Sequence, residues 1–296
     1  HLFERNDYPG GHTRTLNATG PNDKPQPVDT GFIVMNHRNY PHFSKMLEKL
    51  DVTLEDSSMT FSYYDEMADY GYAGNSLRSI FPSIKTLLKS NHWSMVKDIY
   101  RFAKFGYTDL QSGFLESKTL GEYLDERKFG EAFRDHYLYP MGAAIWSSPL
   151  SQMEIFPAEP YLHFLENHGL LRLTNRPQWK FVKGGSSTYV AALIKSLKNK
   201  PRLNAAPKGI RRVQNGVLIR TVEGNDEYFD HVVIGTHADE ALKLLDDPSP
   251  TESELLSAWR YQKNEVILHT SEDALPHNRK IWASWNFVRE KNAPSD

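Results

Sequence analysis

The chain opens HLFERNDYPGGHTRTL (residues 1–16), and the reading of this stretch decides the fold. "HLF" is the apolar end of a short strand, Glu4 stands at its close, and a polar loop runs on to Gly10-Gly11. In a doubly wound α/β sheet, a carboxylate at the end of the second strand accepts hydrogen bonds from both hydroxyls of a ribose and repels a 2′-phosphate. A glycine pair after a short loop brings bare backbone amides beside a pyrophosphate without a Cβ clash. A solvated carboxylate followed by an ordinary turn fits the same residues, so the stretch alone leaves both readings open.

The segments beyond it alternate between two kinds. "PVDTGFIVM" (residues 27–35) is extended and apolar, with Gly31 where a backbone or ligand can approach closely. "YPHFSKMLEKL" (residues 40–50) has helical spacing through Phe43, Met46, Leu47 and Leu50. "MTFSYYDEMADYGYAG" (residues 59–74) alternates as a strand pair that turns between Asp65 and Asp69. From Ser76 to about Trp146 the pattern is helical, and Thr119 with Glu122 predicts a capping box. A second α/β stretch follows: strand "QWKFV", glycine turn "KGGSS", helix "TYVAALIKSLK", then strands "GIRRV", "GVLIRTV" and "EYFDHVVIGT" and helix "ADEALKLL". The tail, "NEVILHT" and "KIWASWNFV", reads as strand again. Two α/β segments bracket a helical middle, which predicts two discontinuous domains: one over residues 1–50 and 176–246, the other over 51–175 and 247–296.

Composition removes several classes of function. A net charge of −2 gives no global field for nucleic acid. The absence of cysteine excludes disulfides, thiolate catalysis and cysteine-ligated metal clusters, and fits a reducing, cytoplasmic compartment. No apolar run is long enough to span a membrane, which leaves peripheral contact open. His163 and His168 lack carboxylates at metal-ligand spacing, so no metal site is expected. With 15 Tyr, 15 Phe and 6 Trp, the chain has ample material to line an apolar pocket.

The pattern E-x5-GG-H-x-x-T followed by "VDTGFIV" resembles the flavin-containing amine oxidase superfamily, which also holds phytoene-desaturase-like enzymes. "YPMGAAIWSS", "FLENHGLLRL", "RPQWKFVKGGS", "THADEALKLL" and "WASWNF" resemble more closely a bacterial group of NAD/FAD-binding proteins often associated with fatty-acyl-modifying enzymes. The resemblance implies an α/β fold: a Rossmann-like FAD-binding domain, here without its first strand and GxGxxG turn, and a discontinuous α+β substrate domain. It implies FAD as cofactor, held by Glu4, Arg5, Gly10, Gly11, His12, Thr13, Thr30, Gly31, Phe32 and Pro207. It also implies that the chain is a fragment of its fold. The superfamily's usual arginine after the glycine pair is His12 here, which can donate a hydrogen bond but lacks the guanidinium fork.

The expected chemistry is hydride transfer from an apolar, lipid-like substrate, such as a fatty-acyl chain, to flavin N5, with amine oxidation, or a non-catalytic flavoprotein or partner domain of a lipid-modifying enzyme, as alternatives. Candidates for the substrate pocket are Asn36, Tyr40, Tyr139, Trp146 and Trp179, each of which equally suits a packed core. No catalytic base and no oligomeric state can be read from the sequence.

Overall fold

A computed structural model describes residues 1–20, 23–172, 176–261 and 263–291. In chain order the strands are β1 (Thr15–Thr19), β2 (Pro25–Asp29), β3 (Leu54–Ser57), β4 (Phe61–Asp65), β5 (Tyr70–Ala73), β6 (Trp179–Val182), β7 (Gly209–Val213), β8 (Gly216–Arg220), β9 (Asp226–Phe229) and β10 (Trp285–Arg289). The helices are α1 (Pro41–Lys49), α2 (Leu77–Ile80), α3 (Ile84–Leu88), α4 (Ser90–Gln111), α5 (Leu120–Glu126), α6 (Glu131–Phe133), α7 (Tyr139–Trp146), α8 (Ala158–Asn167), α9 (Ser187–Ser196), α10 (Ala238–Leu244) and α11 (Pro250–Ser257). A five-residue π-helix, Arg134–Leu138, joins α6 to α7. The fold is mixed α/β, in two compact units.

The first unit gathers His1–Ile33, Met46–Leu54 and Val182–Ile267. Its opening segment pairs in parallel with residues 202–205: Arg202 N–H donates to Leu2 O, Glu4 N–H to Arg202 O, and Ala205 N–H to Glu4 O. Parallel neighbours need a long crossover, and α9 lies just before the second of them in the chain. β1 and β2 form an antiparallel hairpin with Thr15 opposite Asp29. β7, β8 and β9 form an antiparallel meander. The expected strand "HVVIG" is a difference. Residues 231–235 form no ladder, Val233 is 94% exposed, and none of their amides finds a backbone acceptor among the described residues. Its β-branched residues suit a strand, but a strand exists only where a neighbour supplies the other half of each hydrogen bond. "NEVILHT" likewise forms no strand over its described residues.

The second unit gathers Val34–Lys45, Glu55–Phe181 and the described part of Leu268–Asp296. Its sheet runs β10-β4-β5, with β10 parallel and β5 antiparallel to β4, so a late segment completes a sheet begun by the expected hairpin. The helices α4, α5, α7 and α8 enclose a core that includes Phe102, Tyr123, Phe133, Leu138, Tyr161 and Leu165, all nearly inaccessible. Thr119 Oγ1 accepts from Glu122 N–H and the Glu122 carboxylate accepts from Thr119 N–H, closing the expected capping box on α5. Asp109, buried, accepts from the Tyr123 hydroxyl at 3.0 Å and from Arg127 Nε at 2.9 Å, so its charge is paired where water cannot reach it. On the sheet, Tyr63, Tyr70 and Tyr72 pack with His92 of α4 and His136 of the π-helix. The Tyr70 hydroxyl and His92 Nδ1 lie 2.7 Å apart.

Candidate functional site

The opening loop of the first unit is held open by its glycines. Gly10 has φ +112° and Gly11 φ +57°, backbone that side-chain-bearing residues rarely adopt. A Cβ on Gly10 would fall 2.8 Å from Thr13 O, whereas nothing lies within 4 Å of one on Gly11. Thr13 N–H donates to Gly10 O, closing the turn, and the Thr13 and Tyr189 hydroxyls share a hydrogen bond of 2.7 Å. Burial raises the Tyr189 pKa, the bond to Thr13 opposing it. Glu4 Oε1 accepts from Asn6 N–H at 2.8 Å, which bends the chain away from the strand and leaves the carboxylate at its end.

The DTG segment lies directly against this loop. Thr30 N–H donates to Arg14 O, and Phe32 N–H to His12 O. Between them Gly31 comes so close that a Cβ would overlap His12 O at 1.9 Å. Only glycine lets the two backbones approach like this. Asp29, two residues before Gly31, accepts from Ser186 N–H and Thr15 Oγ1, and the single Ser186 hydroxyl proton is shared between Asp29 Oδ2 and Phe32 O. These bonds lock the "GGSS" turn onto the β1–β2 hairpin. At Gly185 a Cβ would stand 2.4 Å from Thr15 Cγ2, so the glycine serves packing. Ser186 and Tyr189 are the residues that sequence reasoning missed. "GGSS" was legible as a glycine turn, but nothing local names Asp29 as the partner of its serine.

The glycine loop and the segment after β2 thus bring Gly10, Gly11, His12, Thr13, Thr30, Gly31 and Phe32 into one cluster. Pro207 stands two residues beyond Ala205, the partner of Glu4. Arg5 points elsewhere, its guanidinium bonded to Glu240 at 2.7 Å. The His12 ring is exposed, 5.6 Å from that of His237, which stacks on Tyr261 at 4.2 Å.

In the second unit, Met35 and Lys180 exchange backbone hydrogen bonds in an antiparallel bridge, which sets Asn36 beside Trp179. Asn36 is buried, its Oδ1 accepts from Asn39 N–H, and its Nδ2 finds no partner among the described residues. Tyr40 N–H donates to Asn36 O. Trp146 packs among Phe156, Tyr161 and Phe164; Phe164 stacks on His168 at 3.9 Å, and His168 on Trp179 at 5.9 Å. An aromatic row therefore joins Trp146 to Trp179 and ends near Asn36. Tyr139 opens α7 seven residues before Trp146, two turns up the helix, and burial raises its pKa. Among the described residues, no group of three or more His, Asp or Glu is placed to hold a metal ion.

The sequence profile of flavin containing amine oxidoreductases matches residues 1–284. The chain belongs to this family. FAD is the cofactor that membership in this family of oxidoreductases brings. Three solved structures share the fold. Putrescine oxidase bound to putrescine aligns at 15% identity and a TM-score of 0.60, over 86% of this chain and 57% of its own. Cyclohexylamine oxidase from Brevibacterium oxydans aligns at 17% identity and 0.61, over 86% and 56%. A fatty acid isomerase from P. acnes that produces CLA aligns at 15% identity and 0.59, over 86% and 56%. The chain thus spans little more than half the length of these proteins. A comparison with curated protein sequences found no match.

Proposed function

We propose that this family member takes part in FAD-dependent oxidation of an apolar, lipid-like substrate, with residues 1–50 and 176–246 on the cofactor side and 51–175 and 247–296 on the substrate side. The observation that carries the reading is the contact at Gly31, which fixes the DTG segment against the GG-His loop and so gathers the residues expected around a dinucleotide. The fit is chemical as well as positional. Glu4 offers a carboxylate at a strand end to ribose hydroxyls. At Gly11 the space that a Cβ would take is open, so a phosphate meets no side chain there. Bound FAD supplies two-electron acceptance, and the protein positions the substrate carbon and excludes water.

Asn36, Tyr40, Tyr139, Trp146 and Trp179 are the residues proposed to face the substrate. Asn36 has the most specific part, since a buried amide nitrogen without an acceptor among the described residues can donate to a substrate carbonyl or carboxylate. The fold likeness to a fatty acid isomerase supports a fatty-acyl substrate, and that to putrescine and cyclohexylamine oxidases supports an amine as the second reading. Anaerobic titration separates them. With FAD bound, bleaching of the flavin bands by a fatty-acyl substrate and none by primary amines is the expected result. The reverse pattern establishes the amine reading, and no bleaching by either class overturns the oxidase assignment.

A further inference from the structure

Within the second unit, residues 74–97 hold Arg78, Lys85, Lys89 and Lys97 and not one Asp or Glu, in a chain whose net charge is −2. The same stretch turns five large apolar side chains outward. Leu77, Ile84 and Leu88 are 78%, 76% and 81% exposed, and Leu87 and Trp93 are about half exposed. Single exposed leucines need no explanation, but a cluster of this kind does. The segment is also ordered. Ser76 and Ser83 cap α2 and α3, Phe81 packs on Trp93 at 4.7 Å, and Trp93 Nε1 donates to Leu87 O. The outward side chains are therefore held in place by a folded scaffold. The neighbouring turn brings Asp69 to 3.4 Å from Lys85, but both side chains are largely exposed and screened, so the cationic character stands.

We propose that this surface docks on anionic phospholipid, with Leu77, Ile84, Leu88 and Trp93 entering the headgroup boundary and Arg78, Lys85 and Lys97 facing lipid phosphates, while the Lys89 ammonium lies over the Tyr70 ring at 4.6 Å. The charge decides the occupant. Short helices with leucine and tryptophan on one side and lysine and arginine alongside are the composition of interfacial segments, whereas the core of a protein–protein interface is depleted in lysine. No helix among the described residues is long and apolar enough to cross a membrane. This inference is independent of the FAD reading, since none of its residues belongs to the candidate flavin cluster or the aromatic row.

The test is co-sedimentation of the purified chain with phosphatidylcholine vesicles, with and without phosphatidylglycerol, at low and high salt. Binding to the phosphatidylglycerol vesicles alone, weakened by salt, is expected. Each cation near an anionic surface is worth roughly fivefold in affinity, so Lys85→Glu with Lys97→Glu should lower binding by more than tenfold. Ile84→Ser with Leu88→Ser should lower it comparably without changing the circular dichroism melt. A reversal at Lys195 and Lys198 in the first unit, equal in charge, should have little effect. Equal loss in that control reduces the effect to net charge and overturns the site. So does an absence of lipid binding by the wild-type chain. Self-association that Leu88→Ser abolishes, with no lipid binding, assigns the surface to a second copy instead.

Discussion

Glu4 and Gly31 make the two most direct demands on single residues. A charge-assisted hydrogen bond to a ribose hydroxyl is worth about 1.5–3 kcal/mol, so Glu4→Ala should weaken FAD affinity roughly ten- to a hundredfold. Equilibrium dialysis checks this, and unchanged affinity removes Glu4 from the site. Gly31→Ala should act on the fold itself. Its Cβ would overlap the His12 carbonyl at 1.9 Å, and both partners are backbone, so neither can rotate away. A loss of about 1–3 kcal/mol is expected from a urea titration, the range for forced overpacking. This glycine was legible in the sequence as a place of close approach; its partner was not. Asp29 and Ser186 show the same limit more sharply, because 157 residues separate them and only the folded chain makes them neighbours.

At the scale of elements, the readable features were those whose signal is local. The β4–β5 hairpin follows from alternation and turn residues, and α5 from the Thr119–Glu122 box. Thr119→Ala should cost about 1 kcal/mol, read as a lower urea midpoint at constant slope. The same signal, Ser249 with Glu252, starts α11 and was readable, since Ser249 Oγ accepts from Glu252 N–H. The π-helix Arg134–Leu138 was not readable, because it shifts the periodicity within a stretch that keeps helical composition. It places His136 against Tyr63 and Tyr70. Burial lowers the pKa of both His92 and His136 below the ordinary 6.5, with the Asp135 and Asp65 carboxylates opposing it at His136. The unfolded chain then takes up protons on acidification before the native state does. Stability should therefore be complete above about pH 6.5 and fall as pH drops toward the native values. Asp135 runs the other way, since burial raises its pKa above 3.8 and its protonation favours the native state as pH falls. Between pH 7.5 and 5.5 the titration crosses the histidines' unfolded value of 6.5 and stays above the carboxyl's 3.8, so the histidines govern and a lower urea midpoint is expected at about pH 5.5 than at 7.5. His136→Phe should flatten that slope.

For the whole molecule, the α/β character and the family were legible because they are written in several separated motifs at once, from the glycine loop to "WASWNF". The segment 231–235 was misread because pairing is a property of two segments and only one was in view. That segment has a kinetic consequence. An amide held by a ladder exchanges its hydrogen for deuterium only when the structure opens, so the meander β7-β8-β9 should protect its own amides for as long as that sheet stays closed. Residues 232–235 follow β9 by only a few positions, yet their amides have no backbone acceptor among the described residues to wait on. In heavy water they should label at nearly the rate of an unstructured peptide, and mass spectrometry of the corresponding peptide should show a steep boundary in isotope uptake just after Phe229.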